Sequence, residues 1–594
     1  MNRKLPMLCA VLLFALGGAR ATAAPELDWQ PWTVDVFQRA ARENKLVYLY
    51  LEAVWCHWCH VMEAETFADE DVIEYLDAHF LPVRVDHDAR PDLANRYRDY
   101  GWPANILYNA EGRELVRRAG YIAPKEFLTL LTELVAHPNR TPHPQSVKAG
   151  AGPDALAEAT RRELLQRHIK AHDKLNGGLK GGQKYLDRYH VEYALWLAAR
   201  GDKTAEKRAR QTLDAALALL DPVWGGVYQY STHSDWRHPH YEKLLRVQAA
   251  YLRIYALAYA QLGDEKYLRA ARRIRDYIAA FLTSPRGGFH SSQDADLVSG
   301  EKADNYYRLN DAGRRAEGIP RVDPHQYAET NGAAIEAHAV LYEATGDPAD
   351  LAPALKAAAF WNTSRARLKQ GGFAHDARQK PPPGGPYLSD QLGMGQGFLL
   401  LHRATGQRLW LSAARECAQM IGQKFKREDA GFNPSLPGRD ALPPQPYLED
   451  NLQALRFFNL LARYTGEQQH RELAQHALRY LAQAAVALER IEESGILLAA
   501  DEFDRDPAHL AVVGGKQDAA AQQLFAAALR YPGWYKRIEW WDHAEGPLPN
   551  PDVQYPRFPR AAAYVCANRR CSPPAFEVTA LQKLLALQAG PERE

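Results

Sequence analysis

One phrase returns at a fixed interval in the second half of this chain, and it narrows the possible folds more than any other feature. "YAETNGAAIEAHAVLYEATGD" begins at Tyr327, "YLSDQLGMGQGFLLLHRATGQ" at Tyr387 and "YLEDNLQALRFFNLLARYTGE" at Tyr447, a spacing of 60 residues each time. Each is a helix-length stretch that ends at a glycine turn and leads into a second helical stretch, the mark of a repeat built from helix pairs. Counting from one turn glycine to the next adds copies: Gly201 to Gly225, Gly263 to Gly287, Gly346 to Gly371 and Gly406 to Gly431 span 24 or 25 residues, and Gly466 to Gly495 spans 29. That makes five pairs, and a leading helix ("DALAEATRRELLQRHIKAHD") with a trailing one ("FEVTALQKLLALQ") could supply a sixth. The first helix of a pair is apolar nearly all round, as in "LLRVQAAYLRIYALAYAQL", whereas the second is amphipathic, as in "RELAQHALRYLAQ" with Glu472, Gln475 and Arg479 on its polar face. The first therefore belongs inside and the second outside. Six such pairs close into a double ring, an (α/α)6 toroid.

The repeat also separates the two ends of that ring. The turns at Gly201, Gly263, Gly346, Gly406 and Gly466 are short and alike, so that end is structural. The connections at the other end are long and varied, and they carry "WGGVYQYSTHSDWRHPHYEKLL" and "GGFHSSQDADLVSGEKADNYY". Glu242, Glu329, Asp390, Glu449 and Asp450 fall where first helical turns are expected, and acids there favour the helix dipole without any chemistry. Asp235, His238, His240, Asp294 and Asp296 lie outside the repeat. Paired carboxylates and histidines in a cleft edged by Trp224 and Trp236 suit acid–base work on a sugar, or sugar binding without turnover.

A 594-residue chain is too long for one core, and the region before the repeat reads differently. Arg3 and Lys4, the apolar run "LCAVLLFAL" and Ala21-Thr22-Ala23 have the form of a secretory signal over residues 1–23. The expected mature protein is exported, in a bacterium to the periplasm, with no membrane span. A formal net charge of +1 gives no reason to expect nucleic acid. Export makes Cys56 with Cys59, and Cys566 with Cys571, candidates for disulfides or redox chemistry, while Cys417 in an outer helix reads as a small buried hydrophobe.

"KLVYLYLEAVWCHWCHVMEAETFADEDVIEYLDAHF" reads as a buried strand, then a dithiol, then one helix. Cys56 falls at the helix N-terminus, where the dipole and unpaired N–H groups stabilise a thiolate. "FLPVRVDHD" gives a second strand, "PDLANRYRDY" a short helix, "GWPANILYNAEGREL" a strand, turn and strand, and Pro124 opens a closing helix. Cys56-His57-Trp58-Cys59-His60 also fits a c-type haem box and part of a soft-metal site. Strands on both sides of the box argue against haem, and no fourth ligand joins Cys56, Cys59 and His60. No cofactor is expected.

This order of elements, with Gly101-Trp102-Pro103 ahead of a strand, resembles the thioredoxin fold. The run "WCHWCHVMEAETFADEDV" resembles more narrowly the spermatogenesis-associated protein 20 family and its bacterial relatives. That resemblance implies a thioredoxin-like domain over 25–137, a linker over 138–154 and a six-hairpin barrel over 155–594 like that of sugar epimerases and glycosidases. It implies Cys56 as attacking thiol, Cys59 as resolving thiol and Pro103 as the contact for a substrate backbone. His240, Glu242, Asp294 and Asp296 match further family motifs, while Glu329 stands where an aspartate is usual. Many thioredoxins place a buried acid where this chain has Tyr50, so Glu52 or His57 would have to relay the proton, or proton transfer is slow. "AYVCANRRCSPP" resembles the family's C-terminal motif. Cys566 and Cys571 could form a local disulfide or a thiol relay with Cys56 and Cys59. A small α/β insertion is expected over about 508–542, and its Gly514-Gly515 lacks the spacing of a dinucleotide loop.

The expected protein is thus a thiol–disulfide oxidoreductase domain fused to a barrel that binds or processes a carbohydrate-like ligand, with a protein thiol or disulfide as partner. The alternatives are a sugar epimerase or glycosidase whose thioredoxin-like domain only docks, and a non-catalytic binding protein.

Overall fold

The computed structural model describes residues 26–98, 101–137, 150, 152–364, 366–378, 385–567 and 570–588. The expected signal segment and most of the expected linker lie outside these residues.

The first unit runs α1 (Val36–Glu43), β1 (Leu46–Glu52), α2 (His57–Glu65), α3 (Glu70–His79), β2 (Phe80–Asp86), α4 (Pro91–Tyr97), β3 (Ala104–Tyr108), β4 (Glu114–Ala119) and α5 (Pro124–Ala136). Its sheet has the order β2-β1-β3-β4, with β1 and β2 parallel and β3 and β4 antiparallel to their neighbours. This is a thioredoxin-like arrangement, and the Trp102–Pro103 peptide is cis. β1 is buried along nearly its whole length because helices cover both faces of the sheet. The stretch after the dithiol forms two helices rather than the single one expected. Asp69 ends the run in extended backbone and caps α3 by accepting from the Val72 N–H at 3.1 Å.

The second unit opens with α6 (Glu158–Ala171), α7 (Arg188–Ala199) and α8 (Lys203–Ala216). It continues through the short strands β5 (Tyr230–Ser231), β6 (Pro239–His240) and β7 (Lys243–Leu244) to α9 (Leu245–Leu262) and α10 (Glu265–Tyr277). Next come β8 (Ser292–Gln293), α11 (Asp304–Tyr307), α12 (Asp311–Glu317), β9 (Val322–Asp323), α13 (Ala328–Thr345) and α14 (Pro348–Thr363). α15 (Leu388–Thr405), α16 (Arg408–Lys424), α17 (Leu448–Thr465), α18 (Gln468–Leu481), α19 (Ala484–Ala487) and α20 (Ser494–Asp504) complete the helices of the ring. α7, α9, α13, α15, α17 and α20 pack side by side in a closed inner circle, and α8, α10, α14, α16, α18 and α6 back them from outside. The fold is an (α/α)6 barrel, as the repeat implies. The sixth pair joins α6 to α20, so the leading helix closes the ring and the trailing one does not. Gly495 accordingly lies inside α20 rather than in a turn.

An amide clamp underlies the 60-residue repeat. The Asn331 side chain accepts from the Phe289 N–H (2.7 Å) and donates to the Phe289 carbonyl (3.0 Å). Gln391 does the same to Phe373, and Asn451 to Phe432. Gln248 makes the same pair of bonds to Val227. Each inner helix thereby pins the loop that precedes it. Lys243, fully buried, bonds Asp221 (2.6 Å) and the Gly225 carbonyl, as Lys184 bonds Asp173 and the Gly177 carbonyl. These lysines hold loops in place.

Beyond the ring lie β10 (Ala508–Val513), α21 (Ala519–Leu529), β11 (Lys536–Trp541), β12 (Ala562–Ala567), β13 (Arg570–Cys571) and α22 (Val578–Gln588). The sheet order is β11-β10-β12-β13, and α22 packs on α21 and β12. The α/β part therefore runs well past residue 542 and takes in the trailing helix.

Candidate functional site

The thioredoxin-like unit sits on the long-loop end of the barrel. The Arg90 guanidinium bonds Asp440, the Trp32 indole donates to Asp440 (2.9 Å), Arg98 donates to the Tyr447 hydroxyl (2.6 Å), and His375 reaches the Asp88 carbonyl (2.6 Å). Every one of these contacts lies at the N-terminal side of an inner helix.

The dithiol faces this junction. Cys56 is the N-cap of α2, in extended backbone, and its Sγ accepts from the Cys59 N–H at 3.2 Å. Cys56 and Cys59 are joined as a disulfide and packed with Ala53, Trp55 and, from the barrel, Leu244. Cys56 is 4% exposed and Cys59 0%. Trp58, between them, turns outward at 37%.

The histidines of the box turn toward the barrel. His57 Nδ1 lies 2.8 Å from one Asp296 oxygen, and His60 Nδ1 lies 3.1 Å from the other. Asp296 also accepts from the Gly300 N–H at 2.9 Å. Despite burial, the bonds from His57 and His60 hold the Asp296 carboxyl down at about 2. Burial pushes Asp294 up to about 6, against the pull of His60, whose Nε2 is 3.8 Å away. Burial disfavours the charged form of His60, yet the bond to Asp296 and the charge of Asp294 leave it raised. The sequence nominated His57, Asp294 and Asp296 from two separate units, and the fold brings them into one cluster. His60, Asp294 and Asp296 present ligand atoms within 4.8 Å of one another and could share an ion, as could Asp86, His87 and Asp88, and His168, His190 and Glu492.

Two nominated relays are engaged elsewhere. His57 is held by Asp296, and Glu52 is paired with Arg84. Arg84 also pairs with Glu63, whose carboxyl is raised to about 7 by burial and by Glu52. The sequence reading passed over Glu63.

Other nominated residues disperse. Trp236 is buried, donating to the Asn176 carbonyl (2.8 Å), and edges no cleft. Trp224 lies under Arg314 and donates to Asp311. Asp235 and His238 pair with each other (3.1 Å) on an exposed hairpin. His240 stacks on Tyr230 and lies 3.5 Å from Glu242, a buried acid whose other oxygen has no partner among the described residues. Glu242 precedes β7 and belongs to no first helical turn.

Glu329 belongs to a second group, at the centre of the ring. The Asp390 carboxylate accepts from the Glu329 N–H (3.2 Å) and bonds His375 (2.9 Å). Burial, then Asp390, raises Glu329; burial, then Glu329 and Glu449, raises Asp450 strongly. These acids lie on neighbouring helices and press on one another, so the capping reading covers only part of what they do. Arg246, on the first turn of α9, and Arg98, from the other unit, share the space with them.

Cys566 and Cys571 face each other across β12 and β13 and are bonded. Their sheet packs on the glycine-turn end: Lys516 bonds the Gly406 carbonyl, and Tyr464 accepts from the Ile538 N–H. An 18-residue inner helix, about 27 Å long, separates that end from the dithiol. A direct relay between the two pairs is closed off. Cys417 is buried, with its thiol raised by burial.

No helix of the described residues is long and apolar enough to cross a membrane.

Residues 19–137 match the family model Thioredox_DsbH, described as "Protein of unknown function, DUF255". Spermatogenesis-associated protein 20 of Homo sapiens is 29% identical over 308 residues, covering 46% of this chain and 39% of that protein. The Mus musculus protein is 28% identical over 313 residues, with the same coverage. The match spans about two fifths of those relatives. Among solved structures, a sugar epimerase from a ruminal bacterium aligns at TM-score 0.43 and 15% identity, over 55% of this chain and 86% of that one. Cellobiose 2-epimerase from Bacillus thermoamylovorans aligns at 0.44 and 12%, over 54% and 86%. The chain is thus similar to spermatogenesis-associated protein 20 over 46% of its length, and its own structure joins a thioredoxin-like unit to an (α/α)6 barrel.

Proposed function

We propose that this protein is an exported, periplasmic thiol–disulfide oxidoreductase whose barrel holds a carbohydrate-like ligand beneath the dithiol. The observation that carries the redox half is Cys56 at the N-cap of α2, its sulfur receiving the Cys59 N–H. A thiolate in that position gains from the helix dipole and from the N–H donor, which lowers its pKa. As attacking thiolate, Cys56 would open a partner disulfide, form a mixed disulfide and release one thiol. Cys59 would then attack Cys56, release the second thiol and leave the enzyme oxidised. In the reduced Cys59→Ser variant, alkylation of Cys56 against pH is expected to titrate at least one unit below a free cysteine. A midpoint near 8.5 would refute the activated thiol.

A second reading is favoured by the burial of Cys56 and by the bonds from His57 and His60 to Asp296. There the barrel is the enzyme or binding protein, and the thioredoxin-like unit is its docked cover. A normal Cys56 titration together with sugar turnover would select it.

A further inference from the structure

The Cys566–Cys571 disulfide at the far end of the molecule stands beside groups that a mere staple does not need. His509 on β10 lies directly opposite Cys566 on β12, and Cys566 lies directly opposite Cys571 on β13. The three side chains therefore share one face of the sheet. A buried chain of polar groups runs along that face to the sulfur. Arg537 donates to one oxygen of Glu539 (2.9 Å), and His509 Nε2 lies 2.8 Å from the other. The Tyr555 hydroxyl lies 3.2 Å from the same Nε2 and 3.9 Å from Cys566 Sγ. A carboxylate only accepts, so Nε2 carries the hydrogen that goes to Glu539, and the Tyr555 hydroxyl keeps its own hydrogen for the sulfur. Burial, and then the charge of Glu539, push the Tyr555 hydroxyl up, so it stays protonated. All four residues are buried, where polar groups are costly and apolar ones would hold a staple as well.

The two sulfurs also differ in access. Cys566 is 2% exposed, whereas Cys571 is half-buried on β13, the edge strand of the sheet. An edge strand offers backbone groups to an extended polypeptide, and the exposed Phe558, stacked edge-on against Phe576, lies on the same unit. We infer that Cys566–Cys571 is a second thiol-exchange site, serving a protein dithiol, with Cys571 as the sulfur attacked and Cys566 as the leaving group. The partner's first thiolate bonds Cys571 Sγ, the Cys566–Cys571 bond breaks, and Cys566 leaves as a thiolate that receives the Tyr555 hydrogen bond and takes up a proton. The partner's second thiolate then attacks the partner sulfur of the mixed disulfide and releases Cys571. The partner gives up two electrons as its dithiol closes to a disulfide, and Cys566 and Cys571 gain them as two thiols. The protons shed by the partner's thiols are balanced by those taken up on the two cysteines. This site is independent of Cys56 and Cys59.

The test uses the full chain carrying Cys56→Ser and Cys59→Ser, which leaves one disulfide. Reduced thioredoxin is the probe, and thiols are trapped with iodoacetamide and counted by mass. Reduction is expected to run much faster than unfolding of the same protein, measured in urea and extrapolated to water, and faster than with glutathione at equal thiol concentration. Thioredoxin lacking its resolving cysteine is expected to stall as a mixed disulfide, and peptide mapping to place it on Cys571. Tyr555→Phe removes only the hydroxyl and is expected to slow reduction about tenfold, the worth of one hydrogen bond to the leaving sulfur, with an unchanged thermal melt. Reduction no faster than unfolding would make the pair a structural staple and overturn the inference. An adduct on Cys566 would overturn the assigned polarity, and an unchanged rate in Tyr555→Phe the role of the polar chain. Glutathione matching thioredoxin would overturn the protein partner. The Cys56 titration is unaffected by any of these results.

Discussion

His375 joins the units with a single ring, giving Nδ1 to Asp390 and Nε2 to the Asp88 carbonyl. Although burial opposes its charge, Asp390 and then the Asp88 carbonyl raise it to about 9. An unfolded histidine releases its proton near 6.5, so the folded protein binds the proton more tightly. The resulting stabilisation is present in full below about pH 6.5 and is lost as pH rises through about 9; it amounts to about 3 kcal/mol at most. Urea unfolding at pH 6, 7.5 and 9 is expected to show falling stability in the wild type and a flatter profile in His375→Gln. Parallel profiles would refute the role. At this scale the sequence was only partly readable. His57, Asp294 and Asp296 could be nominated because each stands in a local pattern. His375, Arg98 and Arg246 could not, since a lone histidine or arginine has no periodic signature and its meaning comes from partners hundreds of residues away.

At the scale of the element, the 60-residue period announced helix pairs, and helix pairs are what fold. The physical reason for the period is narrower than amphipathicity. The fourth residue after each repeated tyrosine is Asn331, Gln391 or Asn451, and its amide meets both backbone groups of a buried phenylalanine on the preceding loop. The amides were in plain view, but an Asn or Gln near a helix start ordinarily reads as a polar neighbour of the cap. Asn451→Leu keeps the volume and strands the Phe432 N–H and carbonyl, which is expected to cost about 2–4 kcal/mol. Thermal unfolding would register this as a fall in Tm with the helix content of the folded state unchanged. A loss under about 0.5 kcal/mol would show that the clamp is ornamental. The split of the expected post-dithiol helix into α2 and α3 has an equally local cause, since Asp69 can cap a new helix more favourably than it can sit inside an old one.

For the whole molecule, sequence order predicted two folds and was silent on how they meet. The thioredoxin-like unit covers the long-loop end, and the α/β extension covers the glycine-turn end. Asp296 is the barrel residue that both box histidines hold. Asp296→Asn removes its charge, so the junction is expected to open more often. Reduction of the Cys56–Cys59 disulfide by dithiothreitol should then quicken severalfold, with Cys566–Cys571 at the far end as an internal control. Equal rates in variant and wild type would show that the junction does not guard the dithiol.

Arg98 reaches from the thioredoxin-like unit to Tyr447 on the barrel. A molecule lodged against it touches both units at once, and the two events become thermodynamically linked. Whatever free energy the guest contributes to holding the units together, the closed arrangement returns to the guest as affinity, by the same factor. The oxidation state of a dithiol at that seam would then tune how tightly the barrel keeps its guest, and the guest would shift the dithiol's midpoint potential in return.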